Sequence, residues 1–292
     1  MSLSVKIDTS FIVPLLQYLS EPSKDLLIEI TKHEAAAKTH AHALRFKNTK
    51  KHISSFWKDL LRKLSKNDSL TENVKENLTY LHNESNKFNE LLKDLWNYFP
   101  KGTNLKRHLY AILGYDIGIV SEGSALINLG HKEFSKDQRE ILFMSMHELH
   151  HVVYTAYNQI FDLSQIHLAN QLCNAIKYST HMEGLALYST LEQRKSANAL
   201  NRDYQLFLDE RARKKRVSKY FDMLTQLEIQ SDRPLHEKDW KILDRMTGRD
   251  RLLYVAGAHM SRVIEKNLGR ETLIETIRLG PDDFFKTYHE SF

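Results

Sequence analysis

Ile141-Leu142-Phe143-Met144-Ser145-Met146-His147-Glu148-Leu149-His150-His151-Val152 contains the pattern H-E-x-x-H. On a helix, His147 and His151 lie one turn apart on one face, so both imidazoles can reach a single ion. Glu148 stands beside them, able to take a proton from water held on that ion. Ile141, Leu142, Phe143 and Met144 supply the buried helix such a motif needs. Random placement in a chain of this composition yields the pattern roughly 0.05 times.

The composition agrees with a helical setting. Ten glycines and five prolines in 292 residues are too few for an all-β sandwich or barrel. Hydrophobic residues at 41% and charged residues at 27% fit one large domain or two modest ones with a sizeable core. No apolar run approaches the roughly 18–20 residues of a membrane span, which leaves no expected membrane partner. A net charge of +5 is too weak to imply nucleic acid. The single cysteine, Cys173, excludes a disulfide framework and a thiolate-rich metal site. Any metal is therefore held by imidazole and carboxylate, and fifteen histidines are present. Met1-Ser2-Leu3-Ser4 shows no basic segment leading into an apolar one. Cytoplasmic residence is the default expectation, with secretion open if a leader has been removed.

From about Asp8 to Pro100 the chain reads as polar amphipathic helices. Apolar stripes run through Ile53, Trp57, Leu60, Leu61 and Leu64, then Leu78, Leu81, Phe88, Leu91, Leu92 and Leu95. Pro22-Ser23 and Asp68-Ser69-Leu70 mark helix starts, and Phe99-Pro100-Lys101-Gly102 a stop. Residues 107–130 differ: four glycines lie among Ile112, Ile117, Ile119, Val120 and Ile127. Ser121-Glu122-Gly123-Ser124 reads as the turn of a hairpin. Helix resumes with Ser135 as a candidate cap and runs to about Ala156. Residues 163–230 are helical again. Further helices are expected near 236–246, 248–267, 270–279 and 281–289, with Gly269 and Gly280 as C-terminal caps.

A hydrolytic zinc site needs three protein ligands and one open position. The candidate for the third is Glu183, in His181-Met182-Glu183-Gly184-Leu185-Ala186. It lies 32 residues after His151, far enough for a second helix to return. An ordinary surface carboxylate is the alternative, although the small residues after it suit a helix packed closely on another.

H-E-x-x-H followed by E-G-L-A resembles the gluzincin group of zinc metallopeptidases. Within that group the similarity is to predicted zinc-dependent peptidases whose activities are uncharacterised. It spans roughly residues 107–290 and includes a later Tyr-x-x-Gly helix, here Tyr254-Val255-Ala256-Gly257. The resemblance implies His147, His151 and Glu183 as zinc ligands and Glu148 as general base. It also implies a hairpin edge strand that takes up an extended peptide. Tyr254 and His259 fall where similar enzymes carry donors to the oxyanion, with core packing of Tyr254 and a surface His259 as the alternative. The two are five residues apart, about 140° around a helix. One departure stands out. Some gluzincins carry an acidic residue four positions after the ligand Glu, and this chain has Leu187 there.

Other signals carry less. Only one Glu-x-x-His unit occurs, whereas a di-iron bundle needs two. Arg211-Ala212-Arg213-Lys214-Lys215-Arg216 reads as a solvated helix face, and Cys173 as packing. The expectation is a mainly α (α+β) fold, zincin-like, with a small hairpin or sheet beside the H-E-x-x-H helix. An N-terminal helical region would occupy residues 1–105 and a catalytic region 106–292. The expected function is zinc-dependent peptide hydrolysis of a peptide or protein substrate. The competing class is a helical scaffold or binding protein with a structural or vestigial zinc site. Neither substrate nor oligomeric state is legible.

Overall fold

The computed structural model describes residues 2–45, 49–161, 163–229 and 231–292. The fold is mainly helical with one small four-stranded sheet. Its chain divides into two compact units, 1–96 with 102–153, and 97–101 with 154–292. Strand β1 (Ser2–Asp8), in the first unit, pairs in parallel register with β2 (Asn104–Ile112), Ser2 opposite Asn104 through Asp8 opposite Tyr110.

In the first unit, β1 leads into α1 (Ile12–Ser20), α2 (Lys24–Lys32) and α3 (Glu34–Arg45). Next come α4 (Ile53–Leu64), α5 (Leu70–Asn83) and α6 (Ser85–Leu95). The Ser23 side chain accepts from the Leu26 backbone N–H at 3.2 Å, so the expected start of α2 is a true N-cap. Trp57, fully buried, anchors this layer and donates from its indole to the Ala36 carbonyl at 3.2 Å.

After β2 come β3 (Gly118–Ser121) and β4 (Ser124–Asn128), the expected hairpin. Its turn places Glu122 at φ 47° and Gly123 at φ 69°. Two successive left-handed residues make the turn whose twist matches a hairpin. The sheet order is β1-β2-β4-β3, with β4 parallel to β2 and wholly buried, and β3 at one edge. Sequence reading located the hairpin but missed β1, although Leu3, Val5 and Ile7 alternate with polar residues at the two-residue period of a half-buried strand.

A short helix, α7 (Lys132–Lys136), precedes α8 (Arg139–Tyr157), which carries H-E-x-x-H. Ser135 lies inside α7 and does not cap α8. Asp137 does, accepting from the Arg139 backbone N–H at 3.0 Å and pairing with its guanidinium at 2.7 Å. Ile141, Leu142, Met146, Leu149 and Val152 of α8 are buried, as a central helix requires.

The second unit contains α9 (Ala169–Ser189), α10 (Leu191–Ser196), α11 (Arg202–Leu208) and α12 (Glu210–Glu228). It ends in α13 (Glu237–Thr247), α14 (Leu252–Leu268), α15 (Arg270–Leu279) and α16 (Pro281–His289). Gly269 and Gly280 adopt φ 90° and 98° at the ends of α14 and α15, as expected of C-terminal caps. Helix α14 begins at Leu252, later than the Gly248 expected, because Arg251 adopts a left-handed backbone with φ 52°. Helices α9 and α14 cross through glycine. A β-carbon on Gly184 would fall 2.3 Å from the Gly257 carbonyl carbon, and one on Gly257 would fall 2.1 Å from the Thr180 carbonyl oxygen. Cys173 packs in this unit's core, and burial pushes its thiol up to about 11, so it is a packing residue. Among the described residues, no helix is long and apolar enough to cross a membrane.

Candidate metal centre

His147 and His151 point from one face of α8, their ring centroids 4.4 Å apart. This follows from the helical repeat: four residues advance about 400°, so the second ring comes to lie over the first. His150, on another face, is fully buried. Glu183, on α9, offers a carboxylate oxygen that lies within 4.8 Å of a nitrogen from each of His147 and His151, and those nitrogens are equally close to each other. His151 is buried, and His147 and Glu183 are half-buried. Among the described residues, no fourth His, Cys, Asp or Glu joins the group.

Two imidazoles and a carboxylate fit zinc, which binds such N and O atoms at about 2.0–2.2 Å in four-coordinate geometry. A span of this size closes onto one ion through small rotamer changes. Three donors leave a position for water or substrate.

Glu148, next to His147, is buried yet is not a member of the ligand group. It lies against β3, where a β-carbon on Gly118 would meet its Oε1 at 2.7 Å and its Cγ at 2.8 Å. Glycine is therefore what lets the edge strand approach this carboxylate.

His181, two residues before Glu183, is a structural histidine. Fully buried, it hydrogen-bonds the Tyr154 hydroxyl through Nδ1 at 3.0 Å and the Thr276 hydroxyl through Nε2 at 3.0 Å. Its ring stacks on Phe284 at 4.1 Å. Burial pushes its pKa down to about 3, so the imidazole stays neutral. Because Tyr154 opens the last turn of α8, one turn after His151, this bond ties that turn to α9 three residues from Gly184.

Tyr254 is close enough to Glu183 for that carboxylate, after burial, to raise its phenol's pKa. Arg251 acts in the opposite sense and lies face-on over the Tyr254 ring, its guanidinium carbon 3.3 Å from the centroid. The guanidinium is itself held by Asp203, with Nε at 2.9 Å and Nη2 at 2.7 Å from the carboxylate oxygens. Sequence reading missed Arg251 and Asp203. They are 48 residues apart, and no local pattern announces the pair; a non-glycine left-handed residue is visible only in three dimensions.

His259 has different company. Its ring meets Tyr288 edge-on at 6.2 Å, and burial with the Arg262 and Arg213 guanidiniums lowers its pKa to about 4. Leu187, where some gluzincins are acidic, is buried with Leu191, Tyr204, Phe207 and Ala258. The basic run is not uniformly solvated either: Arg213 is buried, and Arg216 donates from Nε to the Asp250 carbonyl at 2.9 Å.

A family model described as "Putative zinc dependent peptidase (DUF5700)" matches residues 19–292. The chain belongs to that family. No curated protein and no solved structure matches it.

Proposed function

We propose that the protein is a metallopeptidase that hydrolyses peptide bonds with zinc held by His147, His151 and Glu183. The observation that carries this reading is the convergence of those three donors within 4.8 Å beside a glutamate that is not one of them. A bound zinc would supply Lewis acidity to the scissile carbonyl and to the attacking water.

The chain's own groups do the rest. Glu148 accepts the proton as the water oxygen bonds to the carbonyl carbon. It then delivers that proton to the amine nitrogen as the C–N bond breaks, so the carboxylate is regenerated. The β3 edge, which runs past Glu148 at Gly118, suits an extended peptide read through its backbone. Tyr254 is the first candidate to donate a hydrogen bond to the oxyanion, with its ring steadied by Arg251. His259 remains the second candidate donor. A scaffold with a structural zinc site would favour a fourth protein ligand, and the described residues supply none.

The test pairs metal analysis with peptide turnover. Wild type should bind one zinc per chain and cleave unstructured peptides. Glu148→Gln should keep the zinc and lose turnover. Full activity in that variant would remove Glu148 from the mechanism, and zinc loss would make Glu148 a ligand.

A further inference from the structure

Arg213, Arg262 and His259 form a donor-rich cluster in the second unit, none of them among the three metal donors. Arg213, in the first turn of α12, is 8% exposed. Its Nη1 donates to the Phe207 carbonyl at 2.8 Å, closing the end of α11, while its Nε is buried and meets no acceptor. The Arg213 and Arg262 guanidinium carbons lie 5.9 Å and 5.1 Å from the centroid of the same Phe207 ring. His259 is one turn before Arg262 on α14, so the two side chains are neighbours, and its Nδ1 is also buried without a partner.

Among the described residues, the carboxylate whose charge acts on both Arg213 and Arg262 is Glu210, which is exposed and pairs with Lys214 at 2.6 Å. Arg262, half-buried, contacts the Phe207 ring and feels the charges of Arg213, Tyr188 and Glu210. Two guanidiniums held near each other out of bulk water repel, and buried N–H groups without acceptors are costly. Such an arrangement persists at least cost when an anion completes it.

We propose that Arg213, Arg262 and His259 form a binding site for a small oxyanion, a carboxylate or a phosphate. Arg262 and Arg213 supply the charge and the forked N–H groups that match such an oxyanion. His259 contributes a directional donor. A carboxylate could come from the C terminus of a peptide. Arg262 is eight residues beyond Tyr254, about 12 Å along α14, a distance that a few extended residues span. That source, unlike a free anion, rests on the function proposed above.

The experiment uses the metal-free full-length protein, so that binding is read without turnover. Calorimetric titration is run with inorganic phosphate, with an unstructured tetrapeptide bearing a free C terminus, and with the same peptide amidated. Ionic strength is matched with chloride. Saturable binding of phosphate alone supports a site for a free oxyanion. Binding of the free-acid peptide but not the amide supports a substrate terminus. In either case Arg262→Gln should weaken binding at least tenfold, and ligand should move the His259 ring resonances. Arg213→Gln is avoided because it also uncaps α11. No saturable binding of either ligand, or equal binding by Arg262→Gln, overturns the proposal. Loss of peptidase activity alone does not bear on it.

Discussion

Gly184 and Gly257 meet backbone to backbone where α9 crosses α14, at a separation that excludes any β-carbon. One position before Gly184 stands Glu183, and one turn before Gly257 stands Tyr254. The crossing thus brings a candidate metal ligand and a candidate oxyanion donor together.

Gly257→Ala should destabilise the fold by roughly 1–3 kcal/mol, since the new methyl meets a carbonyl oxygen that no rotamer change can move. Thermal unfolding measures it. Gly102→Ala is the control. Its β-carbon meets nothing within 4 Å, so only the cost of its φ of 87° remains, about 1 kcal/mol. Equal losses at both sites would mean that the crossing tolerates separation.

Gly118→Val should impair turnover and leave zinc content unchanged. The added carbons displace the Glu148 side chain, a flexible group, and thicken the strand proposed to receive the peptide. Kinetics with metal analysis on one sample decides. Unchanged kcat/KM would separate β3 from the reaction.

Tyr254→Phe should lower kcat by roughly 10²-fold, with KM and zinc content little changed, as loss of one oxyanion donor does. Arg251→Gln should lower kcat by roughly 10-fold to 10²-fold through a displaced phenol, again with zinc retained. His259→Gln is the comparison. A kcat effect there as large as that of Tyr254→Phe would assign the imidazole an oxyanion role as well.

Acid should weaken the second unit through Asp239. This buried carboxylate accepts from Arg233 at 2.6 and 2.8 Å and from the His236 backbone N–H at 2.8 Å. Led by the Arg233 hydrogen bonds, these contacts hold its pKa down to about 2. An unfolded aspartate titrates near 3.9. The lowered folded pKa therefore gives stability that is present above pH ~4 and lost as pH falls towards 2. Unfolding midpoints from pH 6 to 2 should show that loss. In Asp239→Asn, already weaker at neutral pH, the acid-dependent part should shrink.

Much of the candidate site was legible because it is local. His147, Glu148 and His151 share one helix, and the 3.6-residue repeat alone puts both rings on one face. Gly123 announced the hairpin turn, and Ser23, Gly269 and Gly280 announced helix ends, for the same reason: each acts on its own backbone. Glu183 could be nominated from the small residues after it, but its approach to the histidines depends on a second helix.

Tertiary structure decided what depends on partners distant in sequence. β1 found its partner in β2, about a hundred residues away, which offers it a parallel ladder. Ser135 yielded the cap of α8 to Asp137 once α7 formed. Arg251, at a left-handed φ of 52°, has its guanidinium bonded to Asp203 and set over the Tyr254 ring, partners that no local pattern names. His147, Glu148 and His151 could be read from the sequence because helical geometry is intrinsic to the backbone. The pairings of β1, Glu183 and Arg251 could not, because their free energy comes from contacts that exist only after the chain has closed on itself.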